Sequence, residues 1–300
     1  MSKTSRLAVT AALALLAFGA LAGPAVAQER DVDETRKVDA DVRVRIENIA
    51  GEIIVRGWDK KEIHVKGTLG EDVKRLEIEG DENSMKIDVI YPRRLRGHTD
   101  GAWLEIDVPK GADVEIGVVS ADVEVSKLEN RLEVDSVSGE VRVAGEYEEL
   151  YIETVSGDID VEGAAKQASF ESVSGDLDLD SLATEELEAE TVSGDLVLEG
   201  SDLQTIEFSS VSGNLEFEGT IAKSGTFSTQ SGDIDLMFTG DVDAEFEIET
   251  FSGDIDNSFG PRPRRTSRWT SSERLSFTEG DGKALIEIET FSGSVELDKR

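Results

Sequence analysis

The chain has 300 residues, no cysteine, and 65 acidic against 31 basic side chains, a formal charge of −34. So negative a balance excludes nucleic acid and anionic lipid as general partners, because both would be repelled. Without cysteine there is no disulfide, thiolate metal site or lipid-modified cysteine, so stability has to come from a packed core.

The chain opens with an export signal. Lys3 and Arg6 precede an apolar run from Leu7 to Ala22, and Ala25-Val26-Ala27 before Gln28 is a small-x-small cleavage site. The run is short for a membrane span, and no later stretch approaches one. Cleavage would remove residues 1–27 and lower the formal charge to −36, which predicts an exported protein of the periplasm, cell surface or extracellular space. Residues 28–39 are charged and aperiodic, which predicts a flexible leader. Residues 40–112 read as an N-terminal β region. Apolar residues alternate around Ile63 and Val65, Leu76 and Ile78, Met85, Ile87 and Val89, and Leu104, Ile106 and Val108.

Residues 113–300 carry a repeat. A Ser-Gly pair returns with its glycine at Gly139, Gly157, Gly175, Gly194, Gly213, Gly232, Gly253 and Gly293, in steps of 18, 18, 19, 19, 19, 21 and 40 residues. Apolar residues recur seven, five and two places before that glycine and two and four after it, as in Leu150, Ile152, Val155, Ile159 and Val161 around Gly157. Spacing of two means strand, and the parity break before the glycine means a corner, so each coil reads as two short strands. In this register Val155 and Leu177 point inward. A unit of this length cannot bury its apolar face alone, but stacked copies form one continuous core. The expected fold is all-β, a parallel β-solenoid of 18–21-residue coils started by the N-terminal β region, with a hairpin sandwich as the structural alternative. The glycines are turn residues, and Ala121 at the first equivalent place argues against a positive φ in every coil. Gln230 and Asn257 are polar lapses on inward positions. The period is lost over 258–282, where an Arg/Pro-rich insertion reads as a loop; Arg262, Arg264, Arg265, Arg268 and Trp269 are its candidate partner contacts.

Three stretches, GEIIVRGWDKKEIHVKG at 51–67, LEIDVPKGADVEIGVVSADVEV at 104–125 and the serial VSGDI or VSGDL units, resemble a bacterial family of unknown function described as β-strand-repeat putative adhesins. The resemblance covers residue 40 to the end and implies a β-solenoid of the cell envelope or surface, with no family catalytic residues to carry over.

The repeat also predicts outward columns. One place after the glycine stand Asp158, Asp176, Asp195, Asp233 and Asp254; four before it stand Asp135, Glu153, Glu171 and Glu190; Ser or Thr fills the places three and one before. The hydroxyls suit turns. The aspartates are weak metal candidates: in-register carboxylates repel, and a hard divalent cation would relieve that, yet one carboxylate per coil gives too few ligands for a closed site. No other cofactor is expected. A carbohydrate-active β-helix enzyme is the least favoured class, because no carboxylate pair stands out and the only histidines, His64 and His98, stand apart from the repeated serines. The expected function is a non-enzymatic binding scaffold or adhesin meeting protein or envelope polymer; the alternative is a periplasmic protein-protein scaffold in envelope maintenance or stress response.

Overall fold

In the computed structural model, residues 30–93, 99–266 and 271–300 are described, and among them every regular element is a β-strand. The expected export signal at 1–27, His98, Arg268 and Trp269 lie outside the described residues. The strands Val141–Thr154, Ile159–Ser172, Leu177–Thr191, Leu196–Ser210 and Leu215–Thr229 stack in parallel, each displaced from the last by one repeat, so that Ile159 pairs with both Val141 and Leu177. This is the ladder of a parallel solenoid; a sandwich of hairpins would pair neighbours antiparallel.

Each of these five coils holds one long bent strand, in place of the two short ones expected, whereas the next keeps two, Ile234–Phe238 and Ala244–Thr250. In Leu177–Thr191 the inward-outward alternation changes phase at Asp180-Ser181 and at Glu185-Glu186, which divides it into three straight segments. The first bend needs left-handed backbone: Ser181 has φ 55°, and Gly145, Gly163 and Gly200 hold the equivalent place with φ of 149°, 134° and 60°. The core is columnar. Ala189 lies in register between Phe170 and Phe208, so a small side chain separates two rings that would otherwise crowd.

The register departs from the sequence expectation at the corner. Alternation continues one step further, so the residue three before the glycine is buried and the residue two before it faces out. Thr154, Ser172 and Thr191 are buried, whereas Val137, Val155, Val173, Val192 and Val211 are exposed by 46–47%. Val155 is therefore not a core residue, and Gln230 is no lapse, being exposed too. Hydroxyls are tolerated inside because they accept the corner glycine's N–H: Gly157 N donates to Thr154 Oγ1 at 2.9 Å, Gly175 N to Ser172 Oγ at 2.8 Å and Gly194 N to Thr191 Oγ1 at 2.9 Å. The glycine itself answers to close approach. A Cβ on Gly175 would stand 1.9 Å from the carbonyl oxygen of Gly157, one coil below.

Spatial order differs from chain order at both ends. Arg43–Trp58 lies between Asp113–Ser126 on one side and Ser84–Ile90 with Ala102–Pro109 on the other, all parallel. Antiparallel strands then cover the end: Arg75–Gly80 on Ser84–Ile90, and Glu62–Leu69 on Ala102–Pro109. Arg30–Lys37, within the expected leader, is a strand paired antiparallel with Glu62–Leu69. At the far end the last coil is not last. Ala284–Thr290 pairs with both Leu215–Thr229 and Ala244–Thr250, and Val295–Lys299 with both Ile234–Phe238 and Ile255–Asn257, so the C-terminal coil sits between the Gly232 and Gly253 coils. The expected loop at 258–282 contains Glu273–Glu279, antiparallel on Ala244–Thr250, and Arg264–Arg265 beside it. Phe246 packs against Phe238, Phe259 and Phe277 at ring distances of 5.5, 5.4 and 4.6 Å and closes this end. The insertion loses the repeat because it folds back as a cap.

Candidate functional site: a valine and carboxylate groove

Stacking turns the outward corner positions into rails whose rungs are about 4.8 Å apart. The first rail is apolar but for one rung: Val119, Val137, Val155, Val173, Val192 and Val211, then the polar Gln230, followed by Phe291 and Phe251. Backbone bonds fix that order, with Val155 N donating to Ser136 O, Phe291 N to Thr229 O and Phe251 N to Thr290 O at 3.2, 3.1 and 3.0 Å. The two phenylalanine rings stack at 4.8 Å. Two residues earlier on the same outer face runs the second rail, Asp135, Glu153, Glu171 and Glu190. A third, of serines, is already occupied: Ser156 Oγ donates to Val137 O, Ser174 Oγ to Val155 O and Ser193 Oγ to Val173 O, each at 3.2 Å. The apolar and acidic rails line one open groove of about 970 Å³, running from Glu47 and Asp88 to Val211.

The acidic rail is electrostatically strained. Burial, then Glu153, Glu133 and Glu115, hold the Asp135 carboxyl above the usual carboxylate range; burial, then Glu153 and Glu190, do the same to Glu171. Among the described residues, no cationic side chain lies within 4.0 Å of these four carboxylates. Cations stand at the Glu47 end, where Lys86 meets Glu47 and Asp88 at 3.1 and 3.2 Å and Arg45, paired with Glu115, offsets part of the rise at Asp135; beyond the groove Arg274 approaches Glu249 at 3.8 Å.

Residues 35–298 match the Toastrack family, DUF4097. The chain belongs to that family. Among solved structures, a putative adhesin from Parabacteroides merdae superposes with a TM-score of 0.56 at 10% identity, over 89% of this chain and 96% of that one. A putative lipid binding protein from Parabacteroides distasonis superposes with a TM-score of 0.51 at 14% identity, over 89% and 96%. At such identities the likeness establishes the fold. No curated protein matches the sequence.

In this Toastrack protein the sequence-predicted site residues fall in three places. The aspartate column is exposed, but its carboxylates bond the next coil: Asp176 N donates to Asp158 Oδ1 at 3.0 Å, Asp195 N to Asp176 Oδ1 at 2.9 Å and Ser294 N to Asp233 Oδ1 at 2.7 Å. Asn214 serves equally, accepting from Asp233 N at 3.0 Å, so the column needs an acceptor more than a charge. The three acidic groups whose carboxylate oxygens gather within 4.8 Å, Glu115, Glu133 and Asp135, are outside that column. Arg262, Arg264 and Arg265 are exposed on the end cap, with Arg265 Nε 3.6 Å from Glu273 Oε1. His64 is taken up at the other end, its Nε2 2.9 Å from Asp33 Oδ1. The valine rail was hidden by its own composition, because an apolar residue at a regular place reads as core. The signal against that reading was strand parity: positions seven, five and three before the glycine share a face, and two before does not.

Proposed function

We propose that the chain is an exported, non-enzymatic binding scaffold of the cell envelope, and that the groove is its binding face. One observation carries this: an exposed apolar rail, unbroken from Val119 to Val211, beside four carboxylates that have no cationic side chain within 4.0 Å among the described residues. A solvated outer face has no use for valine at every rung, and a contiguous apolar stripe rimmed by charge marks a contact surface. The fold likeness to a putative adhesin and to a putative lipid binding protein, together with the export signal, supports the reading. The test is fractionation of cells expressing the chain with Val155→Asn and Val173→Asn. The binding reading expects the substituted chain to leave the envelope fraction and appear soluble while still folded; unchanged retention would refute it.

A further inference from the structure

Resting on that reading of the groove, we infer that its occupant is an amphipathic α-helix of a protein or peptide partner, with a leucine-type stripe on the valine rail and a lysine or arginine stripe on Asp135, Glu153, Glu171 and Glu190. The repeat distance selects the helix. Rungs recur at about 4.8 Å and helical turns at about 5.4 Å, so the mismatch is about 0.6 Å per rung and about 2 Å over four rungs, within the reach of flexible side chains. An extended chain presents same-face residues about 6.7 Å apart and slips by about 2 Å at every rung, losing register after the second.

Charge selects the sign. Two oppositely featured rails lie side by side, and in the acidic one burial and then neighbouring carboxylates push the Asp135 and Glu171 carboxyls up, so a cationic stripe relieves the like-charge part on docking. The formal charge of −34 disfavours a second copy as occupant. Neutral polymer would leave the carboxylates unpaired, and the aspartates on the other side of the corner are already engaged with backbone N–H groups. The helix-in-groove mode uses anchors at every third or fourth residue, which is what a rail of valines can receive.

The experiment uses a fluorescein-labelled 18-residue peptide of leucine and lysine arranged in adjoining helical stripes, titrated with the purified chain and read by anisotropy. The same peptide with one central residue replaced by proline breaks the helix. The helical peptide is expected to bind and the broken one to lose at least about tenfold in affinity. E153Q/E171Q should weaken binding about three- to tenfold, with a reduced salt dependence. V155N/V173N should weaken it about tenfold or more. D160N/D178N, on another face, should leave it unchanged. Circular dichroism checks folding, and V155T/V173T, which keeps the side-chain shape, replaces the asparagine pair if that pair is unstable. Equal binding of helical and broken peptides, or an equal loss in D160N/D178N, would mean attraction to a polyanion in general and overturns the inference. If the peptide fails to bind while V155N/V173N still frees the chain from the envelope, the groove remains the binding face and the helix is wrong. If neither effect appears, both readings fall.

Discussion

The buried hydroxyl column allows one substitution to be tried at two rungs with opposite expected signs. Thr154→Val removes the acceptor of the Gly157 N–H, bonded at 2.9 Å in a buried corner. An orphaned buried donor costs about 1–3 kcal/mol, and the added methyl returns about 1 kcal/mol, so the net loss is about 0–2 kcal/mol, centred near 1. Thr290→Val is the same change at a hydroxyl that is buried with no partner among the described residues. There the hydroxyl itself is the cost, and valine should stabilise by about 1–2 kcal/mol. The two variants should differ by about 2–3 kcal/mol, or roughly 4–12 °C in Tm for a chain of this size, with urea midpoints moving in opposite directions at constant m. Thermal and urea melts of the two variants and the parent decide it. Shifts of the same sign, or no difference, would refute the role assigned to the hydroxyl at the corner.

Gly175→Ala should cost about 3 kcal/mol, because its Cβ would meet the backbone carbonyl of Gly157 and the two coils must part; calorimetry should show a lower midpoint. Leu177→Asp should unfold neighbouring coils at a cost of about 4 kcal/mol or more, whereas Val155→Asp should leave the melt within about 1 kcal/mol of the parent, since only Leu177 is buried. Stability should rise as pH falls from 7 towards 5. Asp135, Glu171 and Asp235 have folded pKa values raised by burial and then by like charges, and Glu296 by the like charges of Asp235 and Asp298, so the folded state binds more protons than the unfolded one and ionisation with rising pH destabilises it. Glu105 and Asp243, lowered by bonds to Lys66 and Lys283, oppose this only as pH falls into their own titration range; a midpoint that declines steadily below pH 7 would contradict the assignment. Calcium should raise the midpoint above matched sodium if the acidic columns hold cations diffusely, and Asp176→Asn should keep the backbone bond, as Asn214 does; superimposed melts in the two salts would dismiss the cation effect.

The solenoid was legible because its evidence is periodic. Ile152, Ile159 and Val161 recur in phase over coil after coil, and only stacking can bury them. What escaped was information that lies between coils. The second glycine column at Gly145, Gly163 and Gly200 stands six residues after the corner glycine and could have been read as a further bend. Thr154 looked outward because its partner, the Gly157 N–H, is a backbone group that residue type does not announce. Gly253 and Gly293 are 40 residues apart in sequence, and nothing in that distance says that the later coil lies beneath the earlier one.

That inserted coil sets a rule for assembly. Ala284–Thr290 and Val295–Lys299 occupy a slot whose two walls are made earlier in the chain, so the array cannot be completed in the order in which it is synthesised. Until the final residues arrive, the slot presents two parallel edges with unpaired N–H and C=O groups, each a template for strand addition. The C-terminus acts as a clasp, and a chain that loses it carries a strand acceptor with no donor of its own. Two such chains mixed with one intact C-terminal segment compete for it, which makes exchange of that segment between copies the failure mode this architecture builds in.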